Sequence, residues 1–64
     1  MYKIVTKFLN GTKTENTAAM YSIAMMYASN VAKSNSVRSV TIYNSSGEEC
    51  AAFRNYEEKE VEHE

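Results

Sequence analysis

The sequence predicts a small α+β domain: one helix packed on a three-stranded, mainly antiparallel sheet in the order β-α-β-β. Three observations predict it. Residues 2–9 alternate in hydrophobicity as a half-buried strand does. Residues 14–33 carry apolar side chains at helical spacing, and the β-rich runs 37–43 and 49–56 flank a turn-forming Asn44-Ser45-Ser46-Gly47.

In the first run, YKIVTKFL, Tyr2, Ile4, Thr6 and Phe8 share one face, and Lys3, Val5, Lys7 and Leu9 the other. Asn10-Gly11 breaks it. Thr12 with Glu15 matches a capping box, with Thr14 as an alternative cap, so the helix is expected to start near residue 14. Met20, Ile23, Ala24, Tyr27 and Val31 form the expected core stripe. Ser34-Asn35-Ser36 ends the helix, VRSVTIY forms the second strand and ECAAFRNY the third. A tight hairpin makes these two antiparallel. The first strand then lies antiparallel beside the third or parallel beside the second, and the all-antiparallel order is favoured. The domain spans 1–56. Residues 57–64, EEKEVEHE, read as a flexible acidic tail.

With 64 residues the chain forms one domain at most. A domain this short usually needs a staple. Cys50 is the only cysteine and His63 the only histidine, so neither an internal disulfide nor a closed Cys/His zinc site is available. Association is what remains. The helix supports it: beside the core stripe runs a second one, Tyr21, Met25, Ala28 and Ala32, expected to hold a homodimer together. Fusion of edge strands is a second route.

Catalysis is not expected. His63 lies in the tail, where a general base cannot be held in place, and Cys50 sits beside Glu49, which disfavours a thiolate. The chain contains no aspartate and no Gly-rich phosphate loop, so no metal or other cofactor is expected. One cysteine and the absence of a long apolar run imply a reducing, cytoplasmic setting without membrane insertion.

The net charge of −1 hides a split. Residues 1–47 carry five basic residues against Glu15, a net +4; residues 48–64 carry seven glutamates against Arg54 and Lys59, a net −5. One reading makes Glu48, Glu49, Glu57, Glu58 and Glu60 a surface for a basic partner protein. A second is a small nucleic-acid-binding module using Lys3, Lys7, Arg38 and Arg54 with the tyrosines Tyr2, Tyr43 and Tyr56. It is disfavoured because the positive charge is sparse and Tyr2 and Lys3 point to opposite faces. A third is a structural or assembly subunit.

The element order, the amphipathic helix 14–33, the hairpin at Asn44–Gly47 and the glutamates from Glu48 onward resemble small phage-encoded host-takeover proteins. Two kinds are similar in outline: the dimeric inhibitors of uracil-DNA glycosylase and the inhibitors of the nucleoid protein HU. The resemblance implies a non-catalytic DNA mimic that blocks the DNA-binding surface of a host protein. It is architectural and assigns no residue a role.

Overall fold

Val, Ile, Thr and Phe at alternating positions suit a pleated chain. The computed structural model, which describes residues 1–55, forms β1 over Tyr2–Phe8. The expected acidic tail, Tyr56 and His63 lie outside the described residues. After β1 the chain does not enter a helix. It turns back at Asn10-Gly11, where Gly11 takes a φ of 93°, and pairs as β2, Lys13–Ala18, antiparallel to β1. Asn10 secures the turn: its Oδ1 accepts from the Thr12 amide (3.0 Å) and the Thr12 hydroxyl (2.8 Å).

This corrects the expected β-α-β-β order to β-β-α-β-β. The capping box does not form, because Glu15 sits in β2 opposite Val5. Residues 13–18 contain no large apolar side chain, so neither periodicity was legible there. Their polar character fits an edge strand whose outer side faces water.

The helix α1 covers Tyr21–Ala32, against the expected 14–33, and Met20 caps it without a side-chain hydrogen bond. It is followed by β3, Val37–Tyr43, and β4, Glu49–Arg54. Both match the expected strands, β4 ending two residues short of Tyr56. Their turn is built as expected, with Gly47 at φ 87°. Asn44 organises it, its Oδ1 accepting from the amides of Ser46 (2.9 Å) and Glu48 (3.0 Å).

The four strands form one antiparallel sheet in the order β2-β1-β3-β4. The first strand therefore lies beside the strand after the helix, antiparallel to it, which neither expected order contained. The reason is parity: the hairpin adds one chain reversal, so the helix delivers the chain to β1's free edge running the opposite way.

The helix covers one face of the sheet. Ile4, Val37, Val40 and Ile42 meet Ala24 and Ala28, all fully buried, and Phe8, Phe53, Met25, Val31 and Ala32 close the rim. Asn55 ties the end of β4 to this layer, its Nδ2 donating to the carbonyls of Ala32 and Val37, both at 2.8 Å. Thr6, also fully buried, has a hydroxyl without a hydrogen-bond partner among the described residues.

Candidate functional site

Two surfaces of this fold are left with something to explain. The first is the outer face of α1. Helical spacing places Met20, Ile23, Ala24, Tyr27 and Val31 on the expected inward stripe and Tyr21, Met25, Ala28 and Ala32 on the expected outward one. The structure largely reverses this. Ala28 is fully buried and Met25 and Ala32 pack against the core, whereas Tyr21 stays exposed beside Tyr2, their ring centroids 5.4 Å apart. Met20, Ile23 and Tyr27 face outward, 58%, 51% and 38% exposed, joined by Met26 at 63%. Ala24 and Val31 keep their expected inward place, and Tyr21, 39% exposed, its expected outward one. Steric volume explains the exchange. The branched side chains of β1 and β3 fill the layer, so α1 lies close only where it presents alanine. Alanine at 24 and 28, four residues apart, falls on one face. Met26 belonged to neither expected stripe.

No charged residue occurs from Met20 to Ala32. The Tyr27 hydroxyl accepts from Asn16 Nδ2 on β2 at 2.8 Å, which fixes the ring at the edge of the patch. The exposed apolar area is on the order of 400 Å², within the size at which patches on monomers are often functional.

The second surface is the face of the sheet opposite the helix, which no element of the described residues covers. By register, Lys3, Val5 and Lys7 of β1 lie between Thr17, Glu15 and Lys13 of β2 and Tyr43, Thr41 and Ser39 of β3. Val5, Ser39 and Thr41 are nonetheless nearly buried, because longer neighbours close over them. A hollow of about 550 Å³ lies there, walled by Lys3, Lys7, Lys13, Glu15 and Tyr43. Lys3 Nζ approaches Glu15 Oε1 at 3.8 Å, with both side chains half-exposed. Lys7 and Lys13 stand directly opposite each other, and neither makes an ion pair among the described residues. Like charges at opposed positions oppose folding.

Of the other expected partner-binding residues, Arg54 reaches Glu49 at 3.8 Å, and Glu48 accepts from Asn44 Nδ2 at 3.2 Å. Arg38, half-buried, is the extra residue of a bulge where β1 and β3 shift register. Glu57, Glu58 and Glu60 lie outside the described residues. The described residues carry six basic side chains against Glu15, Glu48 and Glu49, a net +3. Cys50 is exposed. Among the described residues no three His, Cys, Asp or Glu side chains gather where they could hold a metal, and no helix is long and apolar enough to cross a membrane.

No protein-family model, characterised protein or solved structure matches the chain.

Proposed function

We propose that this chain is a non-catalytic binding protein that associates with a second copy of itself through the outer face of α1. The observation that carries the reading is the apolar quartet Met20, Ile23, Met26 and Tyr27 on a helix without charge. Water is a poor solvent for this face, and no side chain of the described residues shields it. Two copies can meet there without like-charge repulsion, and a net charge of −1 does little to keep them apart. The pairing buries roughly 800 Å² over both copies, less than the roughly 1,200 Å² at which standard specific interfaces begin, so the dimer is weak and concentration-dependent.

Sedimentation equilibrium tests this. The wild type should shift from monomer to dimer with rising concentration, and Met26→Glu should stay monomeric with its fold intact, since residue 26 is exposed within the monomer. Met26→Glu dimerising as the wild type does would defeat the reading.

A narrower form, suggested by the resemblance to phage inhibitors, has the dimer present Glu48, Glu49, Glu57, Glu58 and Glu60 to a basic, DNA-binding host protein. Its support is the acidic run from Glu57 to Glu64. Competition between this chain and duplex DNA for the nucleoid protein HU tests it. DNA that stays bound at saturating chain rejects the mimicry.

A further inference from the structure

We propose that the open face of the sheet binds single-stranded nucleic acid, with Lys3, Lys7 and Lys13 holding phosphates and Tyr43 stacking a base. The inference is independent of self-association, because α1 and this face lie on opposite sides of the sheet.

Four observations lead to it. The β1–β2 hairpin brings Lys13 opposite Lys7, which concentrates positive charge that the sequence order keeps six residues apart. Neither lysine has an anionic partner among the described residues, and placing two ammonium groups opposite each other acts against folding unless something anionic comes between them. The hollow at their feet, about 550 Å³, is open to an incoming group. Its lining includes the buried Val5 of the central strand β1, from which Lys3 and Lys7 also project.

A nucleic acid fits better than an acidic peptide because Tyr43 lines the same hollow. Its position opposite Lys3 sets an aromatic ring beside a cation. Phosphate beside a stacked base is how sheet surfaces hold unpaired strands, while duplex binding demands denser charge than three lysines supply. Lys3 and Lys7 lie four residues apart on one strand, about 13 Å, a span that reaches two phosphates of an extended strand.

Fluorescence anisotropy of a labelled oligothymidine, titrated with the full chain from low to physiological salt, tests the proposal. Three lysines predict log K against log salt to fall with a slope of about −2. Lys7→Gln with Lys13→Gln should flatten the slope to about −0.7, and Lys33→Gln, at the end of α1, should leave it unchanged. Tyr43→Leu should weaken binding by roughly tenfold or more without altering the slope. No binding at low salt, a slope indifferent to Lys7 and Lys13, or equal affinity for polyglutamate would each overturn it. The acidic-mimic form above predicts the opposite partner charge, so capture of a basic protein without any binding of the oligonucleotide rejects this site and leaves that form standing.

Discussion

The inner and outer faces of α1 both carry apolar side chains, yet of different sizes. Inward are Ala24 and Ala28, small enough for the helix backbone to settle onto Ile4, Val40 and Ile42; outward are Met20, Ile23, Met26 and Tyr27. Both faces carry apolar residues, and volume decides which of these turn inward. A sheet whose central strands already carry branched side chains has room for a methyl and little more, so the bulkier apolar face is the one the monomer leaves uncovered. A large apolar face that a domain does not use for its own packing is where a second chain gains most by docking.

The sharpest break in the comparison is Ala28→Met. Extra volume in the inner layer should cost about 2–3 kcal/mol and lower the melting temperature by more than about 10 °C. Met26→Ala, on the outer face, should change the stability of the dilute monomer by less than about 0.5 kcal/mol while weakening the dimer. Comparable losses at both positions, measured by urea unfolding at low protein concentration, would mean that the two faces are not inner and outer. Thr6→Val sharpens the inner side. It replaces a buried hydroxyl lacking a partner with a methyl of similar size, and should stabilise by about 1 kcal/mol in the same assay. The smallest effect belongs to the open sheet: Lys13→Thr removes the opposed ammonium pair and should raise stability by a few tenths of a kcal/mol. A loss of stability there would show that Lys13 holds the sheet together and has no call for an anion.

Much of the fold was legible where a single local signal decided the outcome. The alternation in YKIVTKFL and VRSVTIY located β1 and β3, and Asn44–Gly47 announced its hairpin. What was not legible came from signals that compete. Asn10-Gly11 is a hairpin signal as strong as the later one, but Thr12 and Glu15 imitate a helix cap, and the polar KTENTA gives neither periodicity. Missing β2 hid the second reversal and so the strand order. It also hid the candidate site, because Lys13 appeared to precede a helix when it stands across from Lys7. The two stripes on α1 were visible as stripes. Which one turns inward depends on the sheet beneath, and that is long-range information.

The most direct test of self-association through α1 is an isotope-mixed NMR sample, half labelled and half unlabelled, filtered for contacts between copies. The account predicts nuclear Overhauser effects from the methyls of Ile23 and Met26 on one copy to the Tyr27 ring on the other. Contacts between copies confined to the β2 or β4 edge, or none at a concentration where the protein sediments as a dimer, would contradict it.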